Sequence, residues 1–383
     1  MGMNGFWQGI RAAAVGVAIL TPASAFADET EFVVQSADGT DIHGVGAVPD
    51  QGWGGTAVVM VAGTGLFDRD AAFGPPDTPR TKLFLDLAER FVARGLGVVR
   101  YDRRGVRHGA ASRAEALDPA VAASSTVQSQ REDLAAVRAW AERGDGLGAR
   151  CVILFGHSEG VMHIGRLAAS GAPPPLMVMG VGAPLRSPVD VMKWQVSERD
   201  AYSLALMDTD HDGVTTNAEV EANWRQTPSS WAGTIEPLLR PDGRWTSESL
   251  ALVKTVQGQF YQQARAAALA LDDEAPSPNA TPAMAKASWW KSWFTDEIPA
   301  AVSLARWNVP FSFHWGAIDS QTPPEFDAPL ARSVLGERAT VTVHPRRGHS
   351  LGEHATGAPM DEAIAEQLAD ELEAASAACG RAG

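Results

Sequence analysis

The sequence predicts an α/β fold: a mostly parallel central sheet with helices on both faces, interrupted by a largely helical insert. Three observations predict it. Short apolar runs alternate with amphipathic segments between Thr56 and Val181, the pattern breaks after Pro184, and strand signals return at Pro310. Alternation of this kind builds right-handed β-α-β units, whose strands lie parallel and are covered on both sides.

Residues 1–27 have the layout of a removable export leader. Arg11 precedes an apolar run, Ala12 to Leu20, and Ala25-Phe26-Ala27 gives a small-x-small pattern before a cleavage point. Asp28 would then open the mature chain, and its expected location is periplasmic or secreted. The apolar run is far shorter than the roughly 20 residues that cross a bilayer, and no later stretch reaches that length, so no stable membrane span is expected.

Two strands follow, Glu31 to Ser36 and Asp41 to Val48, joined through the hairpin signal Asp38-Gly39. Thr56 to Ala62 reads as a buried strand and Gly97 to Tyr101 as another. Between them Leu83, Leu87 and Phe91 give Thr81 to Arg94 helical spacing. Leu134, Val137 and Trp140 do the same for Ser129 to Arg143. Cys151 to Phe155 is a strand, a helix starts at Glu159, and Leu176 to Val181 is a strand. Residues 185–300 mix helix-like segments with Pro, Ser and seven of the twelve tryptophans, and are expected to form an inserted cap on a core of residues 28–184 and 301–383. Those tryptophans can build a separate small core or line an apolar cleft. Strands resume at Pro310 to Trp315 and Ala339 to His344, and Met360 to Ala377 closes the chain as a helix.

With 46 acidic against 32 basic residues, the chain carries a formal charge of −14. That balance excludes nucleic acid and anionic membrane as main partners, since both demand clustered Lys and Arg. Of the two cysteines, Cys151 begins a strand at the bottom of the sheet, and the closing helix returns Cys379 to the same edge. A disulfide and two free thiols both stay open at this point.

Gly156-His157-Ser158-Glu159-Gly160 follows an apolar strand and opens a helix. A sharp strand-to-helix turn there lifts the Ser158 hydroxyl clear of the sheet edge, and its crowding leaves no room for Cβ atoms at Gly156 and Gly160. A serine nucleophile needs a base, and the base needs an orienting carboxylate. Asp319 and His349 each lie just beyond the C-terminal end of a strand, on the edge where Ser158 emerges. His344 and His354 compete with His349, and Asp327 with Asp319. His344 belongs to a strand, His354 lies nearer the closing helix, and Asp327 reads as a solvated carboxylate. For the oxyanion, the N–H of Glu159 pairs with that of Thr64, with Gly65 as fallback, because Gly63-Thr64-Gly65 lets backbone approach closely.

Ala62-Gly63-Thr64-Gly65 with Asp68-Arg69-Asp70, then Arg100-Tyr101-Asp102-Arg103-Arg104-Gly105-Val106, the serine turn, Gly316 to Asp319, and Gly348-His349 resemble bacterial α/β-hydrolases of the esterase and serine-aminopeptidase-like group. The resemblance covers about 28–184 and 300–378. It implies the α/β-hydrolase fold, a Ser158–Asp319–His349 triad, no cofactor for catalysis, and hydrolysis of a small-molecule or acyl ester. A peptidase or amidase with the same triad is the alternative, and a non-enzymatic calcium-binding scaffold the third class. The chain departs from the group in its long insert and in having no His before Gly63. In such an architecture the two acidic-basic loops are expected to brace each other through ion pairs, or else to leave Arg103 or Arg104 for a charged substrate group.

Within the insert, residues 208–219 follow the EF-hand pattern. Asp208, Asp210 and Asp212 occupy positions 1, 3 and 5, Gly213 position 6, Val214 offers its carbonyl at 7, Thr216 stands at 9, and Glu219 at 12. The expected partner is one structural calcium ion. Helices are expected over Val191 to Met207 and Glu219 to Arg225, with no second loop to pair with. Thr215 replaces the usual apolar residue at position 8.

Overall fold

The computed structural model describes residues 29–73, 81–110, 115–223, 236–353 and 359–381. The leader, Trp224, Arg225, Trp231 and His354 lie outside them. Eight strands form one sheet: β1 (Glu29–Gln35), β2 (Asp41–Ala47), β3 (Thr56–Val61), β4 (Gly97–Tyr101), β5 (Cys151–His157), β6 (Met177–Val181), β7 (Phe311–Gly316) and β8 (Ala339–His344). Their spatial order is β1-β2-β4-β3-β5-β6-β7-β8. β1 with β2 and β2 with β4 pair antiparallel, and all the remaining neighbours are parallel. The opening hairpin turns at Gly39, whose φ of +82° is open to glycine without strain.

The strands are joined by α1 (Leu83–Ala93), α2 (Pro119–Ala123), α3 (Val127–Glu142) and α4 (Glu159–Ala169). Between β6 and β7 come α5 (Pro188–Ser197), α6 (Arg199–Ala205), α7 (Asn217–Asn223), α8 (Ser247–Leu269), α9 (Ala287–Thr295) and α10 (Ala300–Leu304). Then α11 (Pro324–Leu330) follows β7 and α12 (Glu362–Ser376) follows β8. Strand side chains alternate between two cores. Val59, Leu154, Phe313 and Trp315 pack on the face covered by α3 and α4, through Leu134, Val137 and Ile164. Val58, Met60, Ile153 and Phe155 pack on the other face, against Phe84, Leu87 and Phe91 of α1 and Leu368 and Leu372 of α12. Buried on both faces, such strands read as continuous apolar runs in the sequence.

Helix starts differ from expectation where capping decides them. α3 begins at Val127 rather than Ser129, because Thr126 Oγ1 accepts from Ser129 N–H (3.0 Å) while Ser129 Oγ accepts from Thr126 N–H (2.8 Å). The single helix expected over Val191 to Met207 is two, broken at Glu198, whose backbone leaves the helical region at φ −130°. α7 starts at Asn217, ahead of Glu219, since Thr216 and Glu219 cap each other reciprocally (2.8 and 3.2 Å).

A short strand bridge joins the end of loop 208–219 to a later part of the insert. Thr215–Thr216 pairs antiparallel with Arg244–Trp245, and Trp245 shares a small core with Leu204, Met207 and Val220. Trp289 and Trp293 belong to another core with Met162, Val191 and Phe294.

Cys151 and Cys379 form a disulfide with Cα atoms 5.9 Å apart, joining the start of β5 to the turn after α12. Among the described residues, no helix is long and apolar enough to cross a membrane.

Candidate active site

β5 ends at His157 and α4 begins at Glu159, which leaves Ser158 in the turn at φ +54°, ψ −129°. A non-glycine residue in such a conformation costs on the order of 1–3 kcal/mol and persists only where its surroundings hold it. Here Ser158 N–H donates to Val181 O at the end of β6 (3.0 Å), and Val161 N–H donates to Ser158 O (3.0 Å). A Cβ on Gly156 would lie 2.8 Å from Val161 Cγ2, and one on Gly160 would run into the Val61 carbonyl of β3.

Asp319 is fully buried beyond the end of β7. Its Oδ2 lies 2.9 Å from His349 Nδ1 and accepts from Thr322 Oγ1 (2.9 Å), while Oδ1 accepts from the N–H groups of Gln321 (2.8 Å) and Thr322 (3.0 Å). Burial alone would raise its pKa. The adjacent His349 and these donors outweigh burial and hold Asp319 below the usual carboxylate range. His349 lines a cleft of about 830 Å³ together with Ser158, Gly63, Thr64 and Glu159, so the structure brings the five sequence-predicted residues Ser158, Asp319, His349, Thr64 and Glu159 to one place.

The rivals among the described residues stand elsewhere. His344 Nε2 is 3.1 Å from His314 Nδ1, and His314 Nε2 is 3.1 Å from Glu371 of α12, on the helix-covered face. Asp327 is not the solvated carboxylate expected. It is fully buried, accepts from the N–H groups of Leu185 (2.8 Å) and Arg186 (3.0 Å), and fastens the start of the insert to α11.

The loop Gly63-Thr64-Gly65 passes directly over Ser158: a Cβ on Gly63 would sit 2.8 Å from Ser158 Cβ. Its bracing follows the ion-pair expectation. Arg69 donates to Asp102 from its backbone N–H (2.7 Å) and from Nη2 (2.9 Å), and Asp70 pairs with Arg100 and, at 3.1 Å, Lys82. Arg104 is buried between Asp133 and Asp38, and Arg103 donates to the Gly63 carbonyl (3.3 Å) and Gln130 (3.0 Å). Arg103 thus holds the Gly63 loop to α3, and Arg104 ties α3 to the β1–β2 turn.

Sequence reasoning assigned Glu159 a backbone role only. Its side chain, 1% exposed, accepts from Thr64 Oγ1 (2.6 Å) and from Trp289 Nε1 (3.0 Å), linking the Gly63-Thr64-Gly65 loop, α4 and the insert. Burial opposes its charge, but His163 when protonated, with Arg103, Thr64 and Arg166, outweighs burial and holds the Glu159 carboxyl below its ordinary range. The partners lie 95 and 130 residues away in sequence, so no local signal marks the role.

Burial depresses three histidines here: His157 and His163 from the ordinary 6.5 to about 3, and His344 to about 4. The unfolded chain takes up these protons first as pH falls. Their contribution to stability is thus complete above pH 6.5 and is lost progressively toward pH 3–4. Melting temperature should hold from pH 7.5 to about 6.5 and then fall steadily on acidification to pH 4.5 at constant ionic strength. A flat profile across that range would contradict the neutral, buried state of these rings.

No family model matches the sequence, and no curated protein matches it. Solved structures do. Proline iminopeptidase of Mycobacterium smegmatis superposes with a TM-score of 0.53 at 14% identity, covering 91% of this chain and 99% of its own. A thermophilic esterase from Thermogutta terrifontis gives 0.49 at 14% identity, and an esterase from Exiguobacterium antarcticum 0.46 at 15%, each with the same coverage. At such identity the first likeness speaks to architecture and not to substrate. With its strand order and mostly parallel sheet, the chain has the α/β-hydrolase fold.

Proposed function

We propose that the chain is a periplasmic or secreted serine hydrolase that cleaves carboxylic esters through an acyl-enzyme intermediate. The observation that carries this reading is the Asp319–His349 hydrogen bond at 2.9 Å, set beside the cleft that Ser158 also lines. An ionised Asp319 can only accept, so His349 Nδ1 carries the proton and Nε2 is left as the base. Ser158 Oγ attacks the ester carbonyl and gives its proton to Nε2. The N–H groups of Glu159 and Thr64 receive the oxyanion, and the imidazolium then protonates the departing alkoxide. Water repeats the sequence on the acyl-enzyme, so the chemistry needs no cofactor. Val191, Met192, Trp290 and Phe67 on the cleft walls suit an apolar substrate group. The leader pattern at 1–27 and the Cys151–Cys379 bridge support an oxidising compartment outside the cytoplasm.

A peptidase or amidase would use the same three groups and share the first half-reaction, and a proline iminopeptidase is among the proteins of like fold. The deciding experiment compares p-nitrophenyl esters of graded chain length with aminoacyl anilides, alongside fluorophosphonate labelling. Labelling at Ser158 with turnover of esters alone supports the esterase reading, and turnover of anilides in preference to esters replaces it with the peptidase. A chain that neither reacts with the probe nor turns over either substrate would overturn both readings in favour of the calcium-binding scaffold.

A further inference from the structure

The proposed chemistry uses only the backbone N–H of Glu159, yet its carboxylate is buried directly beside Ser158. An ionised carboxylate in such a place costs free energy unless its oxygens are occupied. Here both are: Oε2 accepts from Thr64 Oγ1 (2.6 Å) and Oε1 from Trp289 Nε1 (3.0 Å). The first of these has the short length of a charge-assisted bond. His163 Nε2 stands 3.5 Å from the same Oε1 and 3.5 Å from Arg103 Nη1, which places a cation close to the carboxylate.

Thr64 needs that hold. It is exposed, it stands between Gly63 and Gly65, and its N–H donates to nothing among the described residues. A glycine on each side frees the adjoining peptide planes to turn, whereas a donor that is to receive an oxyanion must be fixed before the charge forms. The Thr64 hydroxyl bond to Glu159 restrains the loop from one side, and the Arg103 bond to the Gly63 carbonyl (3.3 Å) restrains it from the other.

The two anchors meet again through the insert. Arg103 Nη2 donates to Gln130 Oε1 (3.0 Å), Gln130 Nε2 donates to Ser125 Oγ (3.0 Å), and Ser125 O accepts from the N–H of Lys286 (2.8 Å), at the N-cap of α9. α9 carries Trp289, which donates to Glu159. These bonds close a circuit from the Gly63 loop through α3 and α9 and back through Glu159. Trp289 is itself held in the core it shares with Met162 of α4 and Val191 of α5, and it lines the cleft. A shift of α9 therefore reaches the carboxylate that holds Thr64.

We propose that Glu159 is the positioning residue of the oxyanion site: its carboxylate orients Thr64 and, through Trp289, makes that orientation depend on the docking of α9. This role for Glu159 rests on the hydrolase reading, and the experiment keeps the two apart. The parent, Glu159→Gln, Thr64→Val and Trp289→Phe are compared on one p-nitrophenyl ester. Each is also titrated with an alkyl trifluoromethyl ketone, which Ser158 converts to a tetrahedral oxyanion, and with the matching secondary alcohol, which fills the cleft without forming one. Glutamine keeps the shape but offers one acceptor oxygen to two donors, so kcat should fall on the order of 10²-fold with KM within about threefold, as when one oxyanion donor is lost. Affinity for the ketone should fall by the same factor as kcat/KM, and affinity for the alcohol should hold. Thr64→Val removes the hydroxyl from an exposed side chain and should reproduce that split, so a Glu159→Gln chain that fails to fold does not hide the answer. Trp289→Phe removes one donor from the carboxylate and should lower kcat about tenfold. Adding it to Glu159→Gln should change little further, because both act on one carboxylate. Variants that melt lower yet keep parental kcat and ketone affinity would make Glu159 a structural residue and overturn its positioning role, as would a rise in KM alone. A parent that turns over no ester and is not labelled at Ser158 would overturn the hydrolase reading and this role with it.

Discussion

Ser158→Ala should lower kcat on a p-nitrophenyl ester by on the order of 10⁴-fold or more without changing the circular dichroism spectrum. The hydroxyl is the only atom removed, and the elbow is held by backbone bonds to Val181 and Val161 that alanine retains. His349→Ala should cost a similar factor, because it removes the imidazole that is hydrogen-bonded to Asp319. Asp319→Asn is the more informative change. An amide at that position can donate to Nδ1, which moves the imidazole proton to Nε2 and leaves nothing to take the serine proton. It also keeps the acceptor that Gln321 and Thr322 use, so activity should fall far more than stability. Combining two of these changes should add little to the loss from one, since the three groups act as a unit. His344→Gln separates the two histidines that end β8 and follow it: His344 contacts His314 and not the cleft, so kcat should stay near the parent value. Near-parental turnover by Ser158→Ala would remove the triad as the source of activity.

Why these three residues were legible in the sequence, and Glu159 and Asp327 were not, has a physical reason. Strands buried on both faces must be continuous apolar runs, so β3 and β5 announce themselves, and Ala339–His344 coincides with its expected limits at both ends. Chemistry in a parallel sheet collects at the C-terminal strand ends, so Asp319 and His349 follow once β7 and β8 are located. Glu159 and Asp327 are polar residues whose meaning lies in distant partners, Thr64 and Trp289 for one and Leu185 and Arg186 for the other. A lone acidic residue carries no periodicity, and solvation is its default reading. The break between α5 and α6 has no glycine or proline to mark it, since Glu198 and its neighbours are acceptable helix formers.

Loss of the Cys151–Cys379 bridge should lower stability by as much as about 5 kcal/mol while leaving kcat nearly unchanged. The bridge spans 228 residues, so it closes a loop long enough for a nominal entropic effect of that size on the unfolded chain. At about 2 °C per kcal/mol for a large domain, the melting temperature of a Cys151→Ser, Cys379→Ser variant should drop on the order of 10 °C. Activity is insulated by distance: Cys151 starts β5 and Ser158 follows its last residue, a separation of roughly 20 Å along a strand rising about 3.3 Å per residue. α12 should also stay docked without the bond, because Leu368 and Leu372 are buried against the sheet and Arg94 of the loop after α1 pairs with Asp370 (3.0 Å). Calorimetry of the parent and the double variant, each with and without reductant, isolates the bond. Reductant should shift only the parent. An equal shift in both would assign the effect to something other than the disulfide, and no shift in either would mean that the folded contacts of α12 already restrict the chain end as strongly as the covalent link does.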